Sequence, residues 1–407
     1  MSFQAHSYFK YHTGGPFSVA HNGFRFQPKA IFFQGGQSTF TDAAQAAFGF
    51  GFASSDTEQR SIYYSADDNA DTSNSAIGED ATMAYEAQSP GGSIYNSIDV
   101  TSFDADGFTA DVFGTSFFPY AYMGIGGDGI QAKAFTKAVA ADETTISITG
   151  IGFKGNVVIL MAQDPSGVNP QKSIGLGFAT ATQQATISIM DQDNVGTANS
   201  SRAQRTDLCL AIINTSTFRH EFSFSSFDSD GITLNGISVP ENITLYGIVL
   251  SVPNAYIGSF TTPTATGIQS YTDPGFPVGA LLMFSWGRGA STSVQAGANI
   301  MAGFFGGTVK GNADVPVSIG FSTWSGSEDN VGFSDCNQGY LTTVLRIIEE
   351  ATQTTRHSAN MSSWDATGFS LDYTTANAST SEVIYLALGG KALTRIHGGK
   401  IYGTRIQ

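Results

Sequence analysis

Apolar residues in this chain arrive in short runs, each opened by a turn residue and a phenylalanine. Three of them are NGFRFQPKAIFF from Asn22, GIGFKGNVVILMA from Gly150 and DPGFPVGALLMFSW from Asp273. Runs of this length, partly β-branched and bounded by Gly, Asn or Pro, predict buried strands. Other stretches alternate small and large residues: GFGFASS (Gly49 to Ser55), GLGFATA (Gly175 to Ala181) and SIGFSTW (Ser318 to Trp324). That period of two is the pattern of a strand with two different faces. Helical periodicity is scarce. TDAAQAAF, Thr41 to Phe48, predicts one or two capped helical turns. LTTVLRIIEE would read alone as an amphipathic helix, with Leu341, Val344, Leu345 and Ile348 on one face. Its counterpart DLCLAII (Asp207 to Ile213) has β character, so a strand is expected at both places.

The counterparts exist because the chain repeats itself. TSFDADGF (Thr101 to Phe108) returns as SSFDSDGI (Ser225 to Ile232) and as SSWDATGF (Ser362 to Phe369). The leading phenylalanines, Phe24, Phe153 and Phe276, recur in the same order, as do the tyrosines Tyr122, Tyr246 and Tyr385. Acidic loops recur too, ADDNAD from Ala66, DQDNVG from Asp191 and SEDNVG from Ser327. A long period of this kind means one structural unit written three times. The expected fold is all-β: three tandem β-sandwich, jelly-roll-like modules over residues 1–136, 137–260 and 261–407. The last module carries an extra C-terminal strand, GGKIYGTRIQ, which resembles only the opening strand of a further unit.

NVVILMA and YLALGG are apolar on both strand faces, so each face needs a cover. One cover is the module's own core. The other is a neighbouring module, a second subunit, or the far side of one thick sandwich. An unpaired terminal strand also wants a partner edge. Ile401, Tyr402 and Ile406, with Tyr8 and Phe9 of the first strand, are therefore the expected oligomer contacts.

Composition narrows the partners. Charged residues are 13% of the 407, against an average nearer 25%, so the surface is mostly Ser, Thr, Asn, Gln and Gly. The net charge of −15 and the lack of any Lys/Arg run argue against nucleic acid and anionic membranes. The N-terminus lacks the apolar core of a secretory signal, and no apolar segment approaches the length of a membrane span. Two cysteines, Cys209 and Cys336, sit at non-equivalent places and are expected as free thiols.

Candidate chemistry is thin. Asp104, Asp106, Asp228 and Asp230 suggest half of a calcium loop, but the later ligands are missing and Thr367 replaces the second carboxylate in the third copy. An Asp-capped turn before a glycine accounts for the motif without a metal. Arg219-His220 and Arg356-His357 occupy one repeated position, expected on an exposed polar face. No GxSxG, P-loop, HExxH or CxxC occurs, so neither catalytic residues nor a cofactor are expected. Trp286 and Trp324, at strand ends, are candidates for stacking on sugar rings, while Trp364 replaces Phe103 and Phe227 and is expected in a core.

The order GF-x-P-x-apolar run, GFGFA, FDADGF and YLALGG resembles a module found in tandem in tailed-bacteriophage virion proteins, and the resemblance spans the chain three times. It implies a structural virion component, a head-decoration or tail/fibre protein, made in the host cytoplasm and joined to copies of itself and other virion proteins. The alternative reading is an adhesin that binds host-surface glycan through loop aromatics.

Overall fold

The computed structural model describes residues 3–13, 15–36, 45–67, 73–114, 117–165, 171–194, 199–306, 317–324, 335–348 and 354–390. Their regular structure is all β. The first unit contains β1 (Gln4–Thr13), β2 (Phe17–Asn22), β3 (Pro28–Gly36), β4 (Gln45–Ala53) and β5 (Gln59–Asp67). It continues with β6 (Ser75–Asp80), β7 (Tyr85–Gln88), β8 (Ile94–Asp104), β9 (Gly107–Gly114) and β10 (Phe117–Gly126). The second opens with β11 (Gln131–Val139), β12 (Thr145–Thr149), β13 (Val157–Gln163), β14 (Gln171–Ala179) and β15 (Gln184–Gln192). It closes with β16 (Ser200–Arg205), β17 (Leu210–Ile213), β18 (Phe218–Asp228), β19 (Gly231–Ser238) and β20 (Ile243–Ser251). The third has β21 (Asn254–Thr261), β22 (Gly267–Tyr271), β23 (Val278–Ser285), the two-residue β24 (Gln295–Ala296), β25 (Ala298–Gly306) and β26 (Val317–Trp324). Its remaining strands are β27 (Asp335–Leu341), β28 (Leu345–Ile348), β29 (Thr355–Trp364), β30 (Phe369–Thr375) and β31 (Glu382–Gly389).

The three units share one antiparallel topology. Setting β24 aside, each puts its first, tenth, third, fourth, fifth and sixth strands in a large sheet and its second, ninth, eighth and seventh in a small one. The nested first–tenth and second–ninth pairs wrap as in a jelly roll, whereas strands three to six form a plain meander. β24 instead joins the edge of the second unit's large sheet, beside β16. Phe24, Phe153 and Phe276 all lie in the loop between second and third strands, as the repeat requires.

Four details depart from the sequence pattern. The unit boundaries fall near 127–130 and 252–253 rather than at 136 and 260, because β11 pairs with β20 and β21 with β31. Each is the opening strand of the unit that follows. The Ala-rich segment expected as a helix is strand from Gln45 onward, paired with β5. Ala46, Phe48, Phe50 and Phe52 point to one core while Ala47 and Ala53 point to another, so burial on two faces overrides alanine's helix propensity.

The third-unit counterpart of GFGF is not SIGFSTW, which lies in the fifth-position strand β26, but AGFF in β25. A Cβ on Gly51, Gly177 or Gly303 would stand 2.2, 2.0 and 2.1 Å from the carbonyl oxygens of Ala84, Cys209 and Val344. These glycines let the seventh strand's backbone lie against the fourth strand in every unit. Tyr246, finally, faces the opposite side of its sheet from Tyr122 and Tyr385. A one-residue difference in register moves a strand side chain to the other face.

Three of the cores are private. Phe33, Tyr85 and Val100 belong to the first sandwich, Leu160, Ile212 and Phe222 to the second, and Met283, Leu345 and Leu371 to the third. The other face of each large sheet enters a common core: Phe32, Phe50 and Phe52, then Ile159, Leu176 and Phe178, then Leu282, Phe284 and Phe304. The doubly apolar strands are thus covered by neighbouring units of the same chain. Contacts between first strands and preceding units close the ring. The Ala134 amide donates to Ser54 Oγ at 2.8 Å, and the Ile257 amide to Gln183 Oε1 at 3.0 Å. At the third seam Ser7 Oγ exchanges hydrogen bonds with the Gly306 backbone, at 3.1 and 3.2 Å.

Candidate functional site

The repeated aspartates are built into turns. Asp104 and Asp228 end their eighth-position strands and Asp365 directly follows β29, and each accepts two hydroxyls: Ser102 and Thr109, Ser226 and Thr233, Ser363 and Ser370, all within 2.6–2.8 Å. These bonds, from Ser226 first and Thr233 second, hold the Asp228 carboxyl below its usual range. The second aspartate reaches a different loop. Asp106 accepts the amides of Gly23 and Arg25, and Asp230 those of Gly150 and Gly152. In the third unit the Thr367 carbonyl takes the Gly275 amide at 2.9 Å instead. Two sequence markers, the FDADG turn and the GF loop, are therefore bonded to one another. The glycine follows directly: a Cβ on Gly107, Gly231 or Gly368 would meet the carbonyl oxygen of His21, Ile148 or Tyr271 at 1.8–1.9 Å.

No cluster of three or more His, Cys, Asp or Glu side chains placed to hold a metal occurs among the described residues. The carboxylate oxygens of Asp104, Asp106, Asp228 and Asp230 are engaged by protein donors. Cys209 is a free, buried thiol whose ionisation burial opposes.

The Arg-His position is buried, not exposed. Asn96, His220 and His357 are each 0% exposed. His357 Nε2 lies 3.2 Å from Thr262 Oγ1 and 3.0 Å from the Ser379 carbonyl. His220 has no hydrogen-bond partner for either ring nitrogen among the described residues, and burial pushes its pKa down from 6.5 to about 4. Its 3.7 Å approach to Glu241 is accordingly not an ion pair at neutral pH. Arg219 beside it pairs with the Asp164 carboxylate at 2.7 Å and with Glu241.

The aromatic candidates divide. Trp286 is 0% exposed, at the seam where its carbonyl accepts from the buried Arg202 at 3.3 Å, so its indole face is closed to a sugar. Trp324 is the last residue of β26, and its side chain lies outside the described residues. Trp364 is half-buried and stacks on Phe305 at 5.2 Å. Ile401, Tyr402 and Ile406 lie outside the described residues. Phe9 packs toward the common core, whereas Tyr8 is 37% exposed.

Tyr8 stands in a groove the motif pattern did not reveal. On β1, residues 6, 8 and 10 share the face turned toward β2, and the gap between the two strands is lined by His6, Tyr8, Lys10, His21, Asn22 and Tyr122. The only sequence signal was the even spacing of His6, Tyr8 and Lys10 on a strand. Seam polarity was likewise invisible: Ser75 Oγ donates to Asp191 at 2.9 Å, and Arg60 to Thr136 at 2.5 Å. Tyr246 shares a hydrogen bond with Glu79, whose carboxyl burial pushes up.

No protein-family model matches the chain, and no curated protein is similar to it in sequence.

Proposed function

We propose that this chain is a structural component of a phage virion, a head-decoration or tail/fibre protein that works by presenting surface rather than by chemistry. The observation that carries the reading is the common core: three copies of one sandwich close a ring in a single polypeptide, with Phe50, Phe178 and Phe284 meeting inside it. One chain thereby takes the form of a trimer, a shape suited to a particle surface. Because the doubly apolar strands are spent inside the ring, association with further copies and with other virion proteins falls to the outer sheets and the terminal segment.

The reading is tested on purified particles. Antibody-labelled electron micrographs should show the chain on head or tail, and deletion of residues 398–407 should leave a soluble ring that no longer joins particles. A chain present in lysate but absent from every purified particle overturns the virion reading; particles that incorporate the truncated chain normally overturn the role of the terminal strand.

A further inference from the structure

The three units serve as internal controls for one another at the gap between first and second strands. In the second unit, Phe135 of β11 fills the gap, packed with Ile146 and Ile148 of β12 and lying over Gly247. In the third, Phe260 of β21 packs tilted against Tyr271 of β22 with ring centres 4.2 Å apart, and Tyr256 lies 6.0 Å from Tyr385. Both gaps are closed by aromatic rings. In the first unit the gap stays open as a groove of ≈ 330 Å³, within the range of small-ligand sites, about 300–1,000 Å³.

Its walls are ordered. His21 is 1% exposed, stacked on Phe108 at 4.3 Å and edge-on to Tyr122 at 4.9 Å, with Nε2 3.3 Å from the Tyr120 hydroxyl. His6 is 3% exposed and packs 4.7 Å from Phe24. Over this floor Tyr8, its ring 6.1 Å from that of Tyr122, leaves one side to solvent. Lys10 is half-buried at the end of the row, and no ion pair to it occurs among the described residues. Burial alone lowers its pKa.

The charge is out of character with the rest of the chain. The protein carries 34 acidic and 19 basic residues, yet no lining residue is acidic. On the adjoining turn, the Asp106 carboxylate is taken by the amides of Gly23 and Arg25.

We propose that this groove binds a carboxylate-bearing sugar, its ring laid on Tyr8, its carboxylate on the Lys10 ammonium and its hydroxyls on Asn22. An exposed tyrosine face supplies the apolar platform for a pyranose, and a half-buried ammonium gains most from an anionic partner. The exposed Asn22 amide supplies both a donor and an acceptor for sugar hydroxyls. The site is independent of where the chain resides, and among the described residues it belongs to the first unit, since Phe135 and Phe260 fill the corresponding gaps of the other two.

The test uses the whole chain and four probes, sialyllactose, a glucuronyl disaccharide, lactose and acetate, followed by saturation-transfer NMR and titration calorimetry. At least one acidic saccharide should bind, with lactose and acetate each about tenfold weaker or more. Lys10→Ala should weaken binding about tenfold, and Tyr8→Ala should do so severalfold. Tyr8→Phe keeps the ring and should bind nearly as well as the parent. Unchanged urea midpoints would show that these exposed and half-exposed substitutions leave the fold intact. The proposal is overturned if neither acidic saccharide binds, if lactose or acetate binds equally well, or if Lys10→Ala and Tyr8→Ala leave affinity unchanged.

Discussion

Replacing Phe284 by alanine asks whether the three sandwiches are one folded body. Phe284 belongs to β23 of the third unit and is 0% exposed. Its ring lies parallel to that of Phe178 in the second unit at 5.0 Å, and edge-on to that of Phe50 in the first at 5.5 Å. Truncating a fully buried phenylalanine costs about 3–5 kcal/mol, the lost transfer energy plus the cavity left behind. The aromatic geometry, about 0.5–1.5 kcal/mol per pair, is contained in that figure. The cavity cannot collapse easily, since its walls belong to three sheets whose outer faces are already packed. Urea unfolding should show stability reduced by about 3–5 kcal/mol. Hydrogen exchange should show faster opening in β4 and β14, which lie in units the substitution does not touch. The reasoning fails if the loss is under about 1 kcal/mol, or if faster exchange stays within the third unit.

Three further outcomes are expected. The His220 pKa is lowered in the fold, so the unfolded chain binds the extra proton between the two values. Stability from this group is complete above pH 6.5 and is lost as the pH falls toward 4, a loss of about 3 kcal/mol over that window. His220→Asn, the residue the first unit has at position 96, should flatten that slope in urea titrations at stepped pH; an unchanged slope refutes the assignment. Adding calcium should leave the thermal midpoint where it is, because Asp104, Asp106, Asp228 and Asp230 already accept protein donors. Asp230→Ala, which frees the Gly150 and Gly152 amides, should lower stability by about 1 kcal/mol. A rise of several degrees with calcium would show that the turn holds an ion after all.

The residues alone determined the strand content, the threefold repeat and the chemistry of its turns. Asp104 with Gly107, and their two sets of counterparts, mark tight turns because only local hydrogen bonds and a missing Cβ are needed there. Period-two alternation also showed that NVVILMA is apolar on both faces. It could not say what covers the second face, since a neighbouring unit and a second subunit demand the same residues. Only the tertiary structure decided that the cover is the chain's own other two sandwiches. It also decided that Gln45 to Phe48 is strand, where pairing with β5 outweighs alanine's preference, and that Tyr246 faces a seam. The burial of His220 and the open groove beside Tyr8 depend on side chains far apart in sequence, and no local pattern carries that information.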